Sequence, residues 1–182
     1  LPRHQGRPLG PPPVTPRIEP RRGDLVLAPR GLLAFGRWLP CTRGRAGLTD
    51  AKREGDGATP RGAHRLEALL YRPDRLPPPA PWARPIRPGD LWSDDPRDPL
   101  YNRPTRSPRR SHERLCRPDP LYDLVLVLDW NRHPPVPGRG SAIFVHRWRR
   151  PGAPTAGCLA LAPADLRWLA RRVRPGARVW VR

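Results

Sequence analysis

The sequence predicts a mainly β fold with one short helix near the C-terminus and long irregular loops. Three observations predict it. Pro and Gly supply 30 and 16 of the 182 residues, a density of breakers that favours short strands joined by turns over helices. The apolar residues gather in short runs such as Leu25-Val26-Leu27-Ala28 and Leu124-Val125-Leu126-Val127-Leu128, the pattern of strands. Only one segment, opening at Pro163, has helical spacing. With 37% hydrophobic residues, a chain of this length has enough apolar surface for one domain with a real core.

Residues 1–21 are rich in Pro and Arg without apolar periodicity and read as a flexible tail; a single domain is expected over 22–182. Leu25–Ala28 and Leu32–Phe35 form two strands around Pro29-Arg30-Gly31. The Gly-rich passage 47–60 is a loop, and His64–Tyr71 a strand. Arg72–Pro120, crowded with Pro, Asp and Arg, reads as an irregular surface excursion. The run within Leu121–Trp130 is apolar on both alternating faces, as in a strand buried on both sides. Ser141–His146 is a further strand. Pro163 suits the first position of a helix whose Leu166, Leu169, Ala170 and Val173 share one face, with Gly176 as its stop. Arg178–Val181 closes the domain as a strand.

A formal charge of +19 invites a polyanionic partner. Yet Lys52 is the single lysine among 35 basic residues, and such lopsided arginine use accompanies GC-rich coding. The arginines are spread rather than striped with aromatics, so no nucleic-acid partner is expected. No apolar run is long enough for a membrane helix, and there is no signal-peptide core. A chain that starts at Leu1 and has no methionine reads as trimmed, so the missing leader says little about compartment. There is no C-x-x-C pair and the histidines are scattered, so neither a metal nor an organic cofactor is expected. Asp94, Asp95 and Asp98 read as solvated turn residues paired to arginine.

Cys158 follows Gly157 at the start of a strand, where alternation sends Leu159 and Leu161 to the core and presents Cys158 and Ala160 on the other face. A nucleophilic thiol needs a base and backbone N–H groups for an oxyanion, and a preceding glycine allows a carbonyl to approach the main chain. A lone cysteine after glycine is more often a small buried hydrophobe. His146, at the end of the neighbouring strand and joined to Cys158 by a short Arg/Pro/Gly loop, favours the chemical reading, because adjacent strands place imidazole beside thiol.

Gly140-Ser141-Ala142-Ile143-Phe144-Val145-His146 followed by Pro154-Thr155-Ala156-Gly157-Cys158 resembles the histidine and Ser/Thr-x-Gly-Cys elements of the YkuD, or L,D-transpeptidase, catalytic domain. Lys52 to Gly62 looks like the signature loop of one branch, and Asp94-Asp95-Pro96, Tyr101-Asn102-Arg103-Pro104 and Leu121-Tyr122-Asp123 fit the same branch. The likeness spans residues 22–182. It implies a β-sandwich with a groove, Cys158 as the nucleophile toward peptidoglycan stem peptides and His146 as its base. It also implies that Gly157 and Cys158 supply oxyanion N–H groups, and that Thr155 and Ser141 contact substrate or shape the turn.

Two positions depart from the pattern. Ala156 stands where many members have a second histidine, and Leu159-Ala160 where an arginine or asparagine binds substrate carboxylate; Arg147 or Arg149 are the candidates to replace it. The resemblance further implies carbapenem-type β-lactams as inhibitors and a periplasmic or cell-envelope location. In that oxidising setting Cys41 and Cys116 could pair while Cys158 stays reduced. Hydrolysis of the same acyl-enzyme, or a non-catalytic wall-binding module, are the alternatives.

Overall fold

The computed structural model describes residues 19–107 and 110–182; of the tail expected over 1–21, residues 1–18 lie outside the described residues. β1 (Leu25–Ala28) and β2 (Gly31–Ala34) form a hairpin, followed by β3 (Arg37–Leu39) and β4 (Cys41–Thr42). β5 (Leu48–Thr49) and β6 (Thr59–Pro60) pair in parallel and close the Gly-rich loop. β7 (Gly62–Tyr71) precedes the Pro-rich passage, which contains β8 (Arg84–Pro85), β9 (Leu91–Ser93), β10 (Pro104–Thr105) and β11 (His112–Arg114). A 3₁₀ turn (Pro120–Tyr122) leads into β12 (Leu124–Leu128), β13 (Phe144–Arg147), β14 (Leu159–Leu161), α1 (Pro163–Ala170) and β15 (Arg178–Val181).

Ten strands make one sheet in the order β3-β2-β1-β15-β7-β12-β13-β14-β4, with β8 added beside β7. The sheet curls until β2 comes against β4, enclosing a core capped by Leu166, Leu169 and Ala170 of α1. β12, between β7 and β13, sorts its side chains by parity. Leu124, Leu126 and Leu128 face the α1 side, while Val125 and Val127 face a second cluster with Ile86, Trp92, Leu115, Tyr122 and Phe144. Each face of a strand needs its own cover, and a run of apolar residues without alternation is what two covered faces require. β15, last in the chain, is not an edge: it inserts between β1, which it pairs in parallel, and β7.

Three expectations need correction. The passage 72–120 is more than a surface excursion, because β10, β9 and β11 form a separate small sheet, and Ile86, Trp92 and Leu115 of this passage roof the second core. A handful of apolar residues suffices when they converge on one spot. Asp95 and Asp98 are buried rather than solvated; Asp95 is paired to Arg97, and Asp98 accepts from Ser93 Oγ at 2.7 Å. Cys41 and Cys116 are unpaired, since Cys41 packs against the core on the α1 side and Cys116 against the second cluster on the opposite face of the sheet.

Phe144 is the hub of that second cluster. It is wholly buried and meets Trp92 edge-on at 5.1 Å and Tyr122 at 5.9 Å between ring centroids. Phe144→Ala is expected to lower the free energy of unfolding by about 3–5 kcal/mol, read by chemical denaturation. Val136→Ala, at a position 42% exposed, should stay within about 0.5 kcal/mol of the parent.

Candidate active site

β13 and β14 run parallel with Val145 opposite Leu159 and His146 opposite Ala160. That register places Cys158, one residue before β14, opposite Phe144. Phe144, His146, Cys158 and Ala160 therefore share one face, and Val145, Leu159 and Leu161 take the other. Cys158 and His146 line one cavity of about 310 Å³, together with Ser141, Thr155 and Gly157. The strand expected from Ser141 enters the ladder only at Phe144, because Ala142 adopts a left-handed φ of 51° that breaks the extended run.

That kink is held from outside. Asn102 Oδ1 accepts the Ala142 N–H at 3.0 Å and the Trp92 indole N–H at 3.0 Å, while its Nδ2 donates to the carbonyls of Trp130 and Asn131. A left-handed alanine costs about 1 kcal/mol or more, and these bonds offset it. The return is positional. The Ala142 carbonyl accepts the Cys158 thiol at 3.2 Å, and the Phe144 N–H donates to its sulfur at 3.4 Å.

The Gly-rich loop forms the other wall. Thr59 Oγ1 donates to the Gly157 carbonyl at 2.8 Å and accepts the Gly44 N–H at 2.9 Å. Gly157, at φ +148°, leaves no room for a side chain, since a Cβ there would lie 2.9 Å from the Ala58 carbonyl. Thr155 shapes the turn: its hydroxyl donates to the Cys158 carbonyl at 2.6 Å and accepts the Gly157 N–H at 3.1 Å. The Gly157 N–H is thus already engaged.

His146 is buried, packed edge-on against Tyr122 at 5.4 Å. Its Nδ1 lies 2.6 Å from the Arg147 carbonyl. A carbonyl only accepts, so Nδ1 carries the proton and Nε2 of the neutral ring keeps its lone pair. Burial pushes the imidazole down to about 4, with Arg117 and Arg149 adding to it and the Arg147 carbonyl opposing. Burial likewise pushes the Cys158 thiol up to about 12, reinforced by Glu113 and opposed by the Phe144 N–H and Lys52. The resting pair is neutral thiol and neutral imidazole. The thiol is on the expected face, but it is packed against the second core rather than simply presented.

Of the two arginines considered as replacements, Arg149 lines the cavity and Arg147 does not; Arg147 acts through its carbonyl. Arg117, Glu113 and Asp94 line it as well, and no local pattern marked the first two. Tyr122, Asn102 and Lys52 were visible only as members of motifs, without roles. Among the described residues, no group of three or more His, Cys, Asp or Glu side chains is placed to hold a metal ion.

The YkuD family model, described as the L,D-transpeptidase catalytic domain, matches residues 24–181. The chain belongs to the YkuD family. No curated protein and no solved structure matches it. The YkuD match agrees with the sandwich-like, strand-rich architecture and with the resemblance seen in the motifs. Among the described residues no helix is long and apolar enough to cross a membrane.

Because the folded state holds His146 near 4 against an ordinary 6.5, the unfolded chain binds its proton first as pH falls. The stability tied to the neutral ring is complete above pH 6.5 and is lost as pH falls from there toward about 4, to a total of about 3 kcal/mol. His64, also held low by burial, acts in the same sense, and Glu113, held high by burial and Asp94, in the opposite one. Comparing the wild type with His146→Gln cancels both. Denaturation curves at pH 7 and pH 4 should show the variant losing about 3 kcal/mol less between them; equal losses would mean that His146 is not held neutral.

Proposed function

We propose that the protein is an L,D-transpeptidase that acts on peptidoglycan stem peptides through an acyl-enzyme on Cys158. The observation that carries this is the placement of Cys158 and His146 on one face of adjacent parallel strands, both lining one cavity. Substrate binding displaces water and brings a carbonyl to the sulfur. His146 Nε2 takes the thiol proton as sulfur attacks carbon, and a tetrahedral oxyanion forms. When it collapses, the C–N bond breaks and the imidazolium returns its proton to the departing amine, leaving a thioester. The amine of a second stem then attacks the thioester, loses a proton to His146, and expels the cysteine sulfur, which recovers that proton. The product is a new amide cross-link.

A neutral resting pair suits this order. A thiol that ionises only near 12 is protected from adventitious oxidation and becomes a nucleophile when proton removal and attack occur together. Thr155 positions the turn, and Ser141 is a wall for the peptide. Arg117 and Arg149 are the cations available to a substrate carboxylate, in place of the side chain that Leu159-Ala160 lacks. Such a substrate places the working protein in the periplasm or cell envelope, and carbapenems fit as acylating inhibitors because they present a strained amide to the same sulfur.

The test is intact-protein mass spectrometry after incubation with a carbapenem and, separately, a tetrapeptide muropeptide. Wild type should gain an adduct and Cys158→Ala none, at unchanged fold. Muropeptide products then decide between cross-linked dimers and hydrolysed tripeptides. Absence of any adduct on folded, reduced protein would turn the reading toward a wall-binding module. His146→Ala should acylate at least about 100-fold more slowly at pH 7, with a rate that climbs through pH 10 as the unaided thiol ionises; a flat profile would remove His146 as the base.

A further inference from the structure

Lys52 is the single lysine in a chain whose other basic positions, among 35 Lys and Arg residues, are all arginine. It is also buried, at 6% exposure, which is rare for a lysine without a specific task. Its Nζ donates to the Arg53 carbonyl at 3.0 Å and to Asp56 Oδ1. An ammonium has three N–H groups, so one remains. The stem is clamped by glycine: a Cβ on Gly140 would meet Lys52 Cε at 2.9 Å and Cγ at 3.0 Å. A Cβ on Gly157 would stand 3.6 Å from Lys52 Nζ. The ammonium therefore sits beside the Gly157-Cys158 backbone and lines the cavity with them. A compact point charge fits this slot, where a planar, wider guanidinium does not.

We propose that Lys52 is the cation that stabilises the negative charge arising at Cys158 and at the acyl oxyanion, with Asp56 as its anchor and attenuator. The inference rests on the acyl-transfer reading of Cys158. Of the two N–H groups expected to serve the oxyanion, those of Gly157 and Cys158, the first is engaged by Thr155 Oγ1, so a cation beside them adds to what the backbone supplies. A fixed cation in a cavity partly closed to water acts at higher effective strength than in solvent and needs no reorganisation during attack. Asp56 moderates it: burial acts to raise this carboxyl, but Lys52 and the N–H groups of Arg53 and Ala58 outweigh burial and keep it ionised.

Other ionisable groups face the same sulfur or share the cavity. His146 comes from β13, Glu113 from β11 and Tyr122 from the 3₁₀ turn. Arg117 and Arg149, with Glu54 and Asp94, complete the charged lining. All are unchanged in the variants below, so their contributions cancel in the comparison.

The test is the rate of iodoacetamide alkylation at Cys158, read by peptide mass spectrometry from pH 7 to 9, in wild type, Lys52→Met and Asp56→Asn. Methionine keeps the length and packing of the stem without charge, and asparagine keeps an acceptor for the loop without charge. A charge role gives opposite signs. Lys52→Met should slow alkylation about tenfold at every pH, as loss of a nearby cation raises a thiol by about one unit or more, and Asp56→Asn should quicken it several-fold. Unchanged rates in folded Lys52→Met, or changes of the same sign in both variants, would overturn the proposal and leave Lys52 a packing residue. Where Lys52→Met does not fold, Asp56→Asn decides alone, and no acceleration there counts against the proposal. No peptidoglycan is involved, so opposite shifts in a protein that takes no acyl adduct would sink the acyl-transfer reading and keep the electrostatic one.

Discussion

Parallel pairing of β13 with β14 in a single register is the constraint on which the site depends. Side chains alternate strictly along a strand, so a slip by one residue would send Cys158 to the opposite face and bury His146 among the leucines. What prevents the slip is that both faces are filled. Val145, Leu159 and Leu161 belong to the core on the α1 side, and Phe144 to the core roofed by the passage 72–120. The placement of Cys158 beside His146 is secured by packing of their apolar neighbours.

Around that register the remaining segments act as props for backbone rather than as reagents. Asn102 holds a left-handed Ala142, whose carbonyl holds the thiol. Thr59 reaches from the Gly-rich loop to the Gly157 carbonyl, and Thr155 closes the turn around Cys158. Each of these side chains is short, with one or two polar atoms, and each satisfies main-chain groups that would otherwise be buried without partners. The glycines opposite them permit contact at distances that a Cβ would forbid.

Electrostatically the cavity departs from the ion-pair picture of a cysteine nucleophile. Burial raises the thiol and lowers the imidazole, so separated charges are disfavoured in the folded protein. Cations at Lys52, Arg117 and Arg149 line the same space as acids at Asp94 and Glu113. In a chain of net charge +19, the fold has gathered both signs around Cys158 and His146.

Much of this was legible in one dimension. Pro and Gly density with short apolar runs led to a strand-rich fold, and the unbroken Leu124–Leu128 run to a strand covered on both sides, because local periodicity reports which faces are buried. Spacing likewise set Cys158 and His146 on neighbouring strands. The sequence by itself determined the longer strands and the one helix, the parity of their side chains and the family motifs. Only the tertiary structure decided that 72–120 builds a roof, that Asn102, Thr59 and Lys52 meet the backbone around Cys158, that the Gly157 N–H is engaged, and that Cys41 and Cys116 stay apart. These depend on contacts between residues far apart in the chain, and no local pattern encodes which distant loop a strand end will meet.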